Sequence, residues 1–189
     1  MATNPFDAGL LRRSLHQHWR MFLIEGIVLV ILGAAAVALP LIAGIATTIV
    51  LGWLFLIGGG VGLAVTFKAP GAPGFNWSVL SGLLALLAGA VLLWNPLAGL
   101  ATLTYVLIAY FIAEGVFSIA FAIEHRRELS GRWEWMMFNG VIDLVIGAVI
   151  IAGLPGAFAW ALGLLVGIDL VFGGIALIGM ALAAREAAP

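Results

Sequence analysis

The stretch GIVLVILGAAAVALP at residues 26–40 recurs as GLLALLAGAVLLWNP at 82–96 and as GVIDLVIGAVIIAGLP at 140–155. Each copy places two glycines seven residues apart inside an apolar run and ends on a proline: Pro40, Pro96 or Pro155. The period is 56 to 58 residues. A second matched pair stands eighteen and nineteen residues beyond each proline, as Gly58-Gly59, Glu114-Gly115 and Gly173-Gly174, so the repeat includes the segment after the proline. Proline removes a backbone donor and clashes with the preceding helical turn. Each unit therefore reads as one helix, a proline stop and a second helix.

Composition sets the solvent. The chain has 189 residues, of which 64% are hydrophobic and 9% charged, against about 25% charged in a soluble domain. Too little polar surface is available to cover a soluble globule, and the expectation is a single all-α integral-membrane domain over 1–189. A span needs about 20 apolar residues to cross roughly 30 Å of hydrocarbon. Six segments qualify: Met21 to Leu39, Ile42 to Phe67, Trp77 to Trp94, Leu97 to Ile123, Trp135 to Gly153 and Ala157 to Ala184. Helices are required because open strands leave backbone polar groups unsatisfied in lipid. The expected fold is six transmembrane helices in three parallel hairpin repeats, over 21–68, 75–124 and 133–185, with short connections at the prolines.

Lysine and arginine near spans are retained on the cytoplasmic side. Arg12, Arg13 and Arg20 precede the first span, Lys68 follows the second, Arg126, Arg127 and Arg132 lie between the fourth and fifth, and Arg185 follows the sixth. All eight basic residues therefore fall on one face, and both termini are expected in the cytoplasm. The tips around Pro40, Pro96 and Pro155 carry no charge. Trp19, Trp77, Trp133 and Trp135 fall at the basic face and Trp94 and Trp160 near the other, as in an aromatic belt.

Ahead of the first span, Asn4-Pro5 reads as a helix start. Phe6, Leu10, Leu11, Leu15 and Trp19 then share a stripe that leaves Arg12, Arg13, His16 and Arg20 largely off it, which predicts an amphipathic interfacial helix over 4–20. A docking helix for a partner is the other reading of that segment. Arg12-Arg13, an apolar run and Ala36-Val37-Ala38 imitate a signal peptide, but Glu25 interrupts the run and the segment carries the same glycine frame as the third and fifth spans. The 70–74 segment reads as a turn-rich linker and 124–134 as a charged loop.

Small residues let helix backbones approach in lipid, where apolar burial does not drive association. Gly26, Gly33, Gly82, Gly89, Gly140 and Gly147 are therefore expected to pack helices, the alternative being that they permit sliding or open a path. The chemistry lies in four intramembrane acids, Glu25, Glu114, Asp143 and Asp169, which have no lysine or arginine beside them in the spans. A charge at the bilayer centre costs about 2.5 to 3.5 kcal/mol on insertion scales, so these residues are expected to face protein or water and to respond to protons. Counted from Pro155, Asp143 and Asp169 fall at similar depth on adjacent helices, where two carboxylates can share one proton. Glu25, Ser81 and Asn139 each directly precede the first glycine of a repeat. About a threefold pseudo-axis they would form a polar triad, either holding helices together or lining a hydrated cavity.

Other chemistry is not indicated. His16, His18 and His125 are poorly spaced for a metal, the chain has no cysteine, and there is no phosphate loop, nucleophile elbow or HExxH. No cofactor, metal, catalytic residue or nucleic-acid partner is expected; the expected partner is the lipid bilayer, with a homo-oligomer or another membrane protein as further candidates. Asp169 also lacks the Gly-x-Gly-Asp frame of intramembrane aspartyl proteases.

The Trp19-Arg20 start, Glu25-Gly26, the Gly33 to Pro40 frame and Glu114-Gly115, set in six spans, resemble the HdeD family of small bacterial inner-membrane proteins. The resemblance covers Trp19 to Ala184. It implies a bacterial plasma-membrane location and a link to acid resistance, and it supplies no catalytic residue or solute. The expected function is thus a non-enzymatic membrane protein of acid stress that responds to protons through buried carboxylates; the alternative is a small transporter or channel for protons or a solute.

Overall fold

A computed structural model of the chain describes residues 5–71, 73–126 and 133–186, with side chains described for 19–71, 73–126 and 133–185. The described residues form six long helices: α1 Pro5–Ala38, α2 Pro40–Thr66, α3 Phe75–Trp94, α4 Pro96–Glu124, α5 Trp133–Ala152 and α6 Ala161–Glu186. A short 3-10 helix, Gly156–Ala159, leads into α6. All six contain a stretch apolar and long enough to cross a bilayer. Their outward faces expose Ile24, Leu54, Leu87, Phe117 and Phe172. An apolar surface of that extent belongs in hydrocarbon, where a lone helix satisfies its own backbone.

The helix ends follow from local chemistry and depart from the expected bounds chiefly at the prolines. Pro40 and Pro96 do not lie in the connections; each opens the following helix, because the first helical position needs no N–H and proline's fixed φ already suits it. At α4 the Asn95 side chain accepts a hydrogen bond from the Ala98 N–H at 3.1 Å, so Asn95-Pro96 is an N-cap followed by proline at the first turn. The third tip differs: after Pro155 the chain makes a 3-10 turn over 156–159, so α6 begins at Ala161 rather than Ala157. The Phe158 ring meets Tyr105 of α4 edge to face at 5.4 Å. Gly74, before α3, has φ +85°, a left-handed conformation that glycine adopts without strain.

The interfacial helix expected over 4–20 is not a separate element. Backbone helix runs without a break from Pro5 to Ala38, since neither proline nor glycine stands between Trp19 and Met21 to interrupt the ladder. The stripe expected on Phe6, Leu10, Leu11 and Leu15 lies outside the described side chains, as do Arg12, Arg13, His16 and His18; Ala72 of the linker and residues 127–132 of the charged loop lie outside the described residues.

The chain divides into two compact units, Met1–Ala43 with Gly163–Pro189 and Gly44–Leu162. In the first, α1 and α6 run antiparallel with backbone against backbone. A Cβ on Gly26 would stand 2.8 Å from the Gly174 carbonyl oxygen, and one on Gly33 would stand 2.7 Å from that of Gly167. A Cβ on Gly163 would overlap the Pro40 carbonyl.

The second unit contains two such antiparallel pairs. Between α2 and α3, the Gly82 oxygen lies 2.9 Å from a Cβ built on Gly59, and the Gly52 oxygen 2.7 Å from one on Gly89. Between α4 and α5, Gly115 and Gly140 meet in the same way, while Gly147 faces Ile108 more loosely, 3.9 Å from its oxygen. Thr48 and Thr104, one repeat apart, are wholly buried and donate their hydroxyls to the carbonyls of Gly44 and Leu100 at 2.9 and 2.8 Å. These bonds satisfy the hydroxyls within their own helices. The Thr48 methyl fills the space beside Gly99.

Candidate functional site

Asp143 is the one buried acid among the described residues, 8% exposed. It lies ten residues into the 20-residue helix α5, which at 1.5 Å per residue is about 15 Å from either end and so near the middle of a bilayer. Its Oδ2 accepts a hydrogen bond from Asn139 Nδ2 at 3.3 Å, one turn earlier on the same helix. Glu114, half-buried on α4, is the charged group that acts on it electrostatically. Glu114 also acts on the Tyr110 hydroxyl, one turn away on α4. Two carboxyls and two neutral polar groups thus lie within electrostatic range of one another across the α4–α5 pair.

The glycine contact beneath them explains the meeting. Glu114 and Asn139 each directly precede one of the two glycines, Gly115 and Gly140, whose backbones touch. Two helix backbones at this separation bring flanking side chains within reach of each other. No lysine or arginine lies in these spans, so any charge here is balanced only by hydrogen bonds, by water or by protonation. Among the described residues no group of acids and histidines can hold a metal.

The other acids and polar residues singled out from the sequence occupy different settings. Glu25 on α1 and Asp169 on α6 both belong to the first unit and are exposed. The neighbours found for Asp143 are Asn139 and Glu114, both in the second unit. Ser81 is exposed and its hydroxyl donates to the Trp77 carbonyl at 2.9 Å, closing on its own helix. In the α2–α3 pair the positions that match Glu114, Asn139 and Asp143 are Gly58, Ser81 and Ala85, which line a shallow groove. The α2–α3 pair therefore has no counterpart of these two carboxyls.

Tyr110 was not singled out from the sequence. Its signal was the spacing of four from Glu114, which puts both on one helical face. Asn139 and Asp143 show the same spacing.

The profile of a short repeat of unknown function, DUF308, matches residues 24–94 and again 80–152. Protein HdeD of Escherichia coli strain K12 is 30% identical over 185 residues, covering 93% of this chain and 90% of its own length. The proteins of the same name from Escherichia coli O157:H7 and Shigella flexneri match equally. No solved structure matches the chain.

Proposed function

Because the chain belongs to the HdeD family and carries its DUF308 repeat, we propose that it is a non-enzymatic protein of the bacterial inner membrane, with both termini in the cytoplasm, that serves acid resistance by taking up protons at Glu114 and Asp143. The observation that carries this reading is Asp143, buried near mid-span against Asn139 and within electrostatic reach of Glu114. Two carboxylates that both ionise in a place poor in water repel each other and leave their charge unsolvated. A proton taken up by the pair removes the repulsion and supplies an O–H donor. Gly115 and Gly140 lie directly beside these groups, so the α4–α5 contact is the element whose packing responds. A helix contact that tightens or loosens with acid can change how the protein meets a partner or a second copy.

Infrared difference spectra of the full-length protein in lipid, recorded as the pH is lowered from 7 to 4, test this reading. The protonated-carboxyl C=O band is expected to grow and to shrink in Asp143→Asn and Glu114→Gln. A band unchanged in both variants would sink it. A proton-conducting role is the other outcome: acid-driven proton flux into liposomes that the same substitutions abolish would replace a packing response with transport.

A further inference from the structure

In the first unit the last turn of α6 meets α1 at Trp19. The Arg20 guanidinium of α1 lies 5.4 Å from the centre of the Trp19 ring, and that of Arg185, in the last turn of α6, lies 5.5 Å from it. One indole thus gathers two cations from opposite ends of the chain. A cation over an aromatic face is held by the ring quadrupole, but two cations on one ring also repel each other. Of the acids of this unit whose side chains are described, Asp169 is sixteen residues from Arg185, about 24 Å along the helix, and Glu25 lies about 7 Å further into its span than Arg20. Both arginines are exposed, while Trp19 is half-covered.

The depth of the cluster is set by the spans themselves. Arg20 directly precedes the apolar run that starts at Met21, and Arg185 directly follows the one that ends at Ala184. Both guanidiniums therefore lie at headgroup level, where lipid phosphates are concentrated and where tryptophan prefers to sit. Guanidinium presents paired N–H donors matched to phosphate oxygens. Basic clusters between helices at this level bind the heads of anionic lipids. We propose that Trp19, Arg20 and Arg185 form a binding site for the phosphodiester of an anionic phospholipid, with Trp19 spacing the two arginines and resting its ring against the acyl-glycerol region. A zwitterionic lipid leaves the two positive charges uncompensated and binds less well.

Native mass spectrometry of the full-length protein in detergent, titrated with dioleoyl phosphatidylglycerol or dioleoyl phosphatidylcholine, tests the site. Wild type is expected to retain phosphatidylglycerol over phosphatidylcholine, and Arg20→Gln with Arg185→Gln to lose that preference by about fivefold or more. Arg126→Gln, a cation of the other unit, is expected to retain it. If the double variant fails to fold, the single Arg185→Gln, in the last turn of α6, is expected to lose a measurable part of the preference. Equal retention of both lipids by wild type, or an undiminished preference in the arginine variants, overturns the proposal. Displacement of phosphatidylglycerol by millimolar inorganic phosphate also overturns it, in favour of a site for a free anion.

Discussion

Gly115 and Gly140 are in backbone contact: the Gly140 oxygen lies 2.7 Å from where a Cβ on Gly115 would stand, and the Gly115 oxygen 2.8 Å from one on Gly140. No real Cβ sits that close to a carbonyl, so the α4–α5 pair exists in this form only with glycine at both places. Their neighbours Glu114 and Asn139 owe their positions to this approach.

Gly115→Ala is expected to push α4 and α5 apart and to destabilise the protein by about 1 to 3 kcal/mol, the usual range for overpacking. The check is the unfolding midpoint in mixed detergent. Gly60→Ala is the control, since a Cβ there meets nothing within 4 Å; it is expected to be neutral or to gain up to about 1 kcal/mol from helix propensity.

Adjacent glycines on α6 give a sharper contrast. A Cβ on Gly174 would stand 2.7 Å from the Gly26 oxygen, whereas one on Gly173 meets nothing within 4 Å. Gly174→Ala is therefore expected to lower the unfolding midpoint and Gly173→Ala to leave it in place or raise it. Equal losses from the two would contradict the α1–α6 contact.

Two helix starts depend on single residues. Asn95→Ala removes the acceptor for the Ala98 N–H and is expected to cost about 1 kcal/mol. Gly74→Ala meets no atom within 4 Å yet forces a side chain into the left-handed region, at about 1 to 2 kcal/mol. Chemical unfolding of each variant against wild type reads both losses; no loss at Gly74 would mean that the start of α3 relaxes freely.

The chain contains no cysteine, so single cysteines report topology without background. Gly156→Cys, exposed beyond Pro155, is expected to react with a membrane-impermeant maleimide in intact cells. Gly71→Cys, exposed in the linker before α3, is expected to react only after the cells are opened. Reversed labelling would invert the proposed orientation.

The six helices and their stops were legible because hydropathy and proline act locally. A run of 20 apolar residues has few alternatives in lipid, and Asn95-Pro96 carries a cap and a first turn in two residues. Pro40 and Pro96 nonetheless read as connections, since a proline that ends one helix looks the same in sequence as a proline that begins the next. The glycine frames marked surfaces where a backbone can come close. Nothing in them says that Gly115 meets Gly140 or that Gly59 meets Gly82, because a small residue permits an approach without choosing the partner.

The same limit applies to the acids. Counting residues from Pro155 gives the depth of Asp143, but its neighbours depend on which helices dock and at what rotation. The spacing of four between Asn139 and Asp143 was present in the chain, and the meeting with Glu114 was not. The amino-acid sequence alone determined a membrane protein of six helices in which every basic residue lies outside the apolar runs, because burial in hydrocarbon and the loss of a backbone donor at proline are properties of short segments. The pairing of α1 with α6, α2 with α3 and α4 with α5, and with it the company that Asp143 keeps, was decided by tertiary packing, because van der Waals fit between two helix surfaces is a property of both surfaces together.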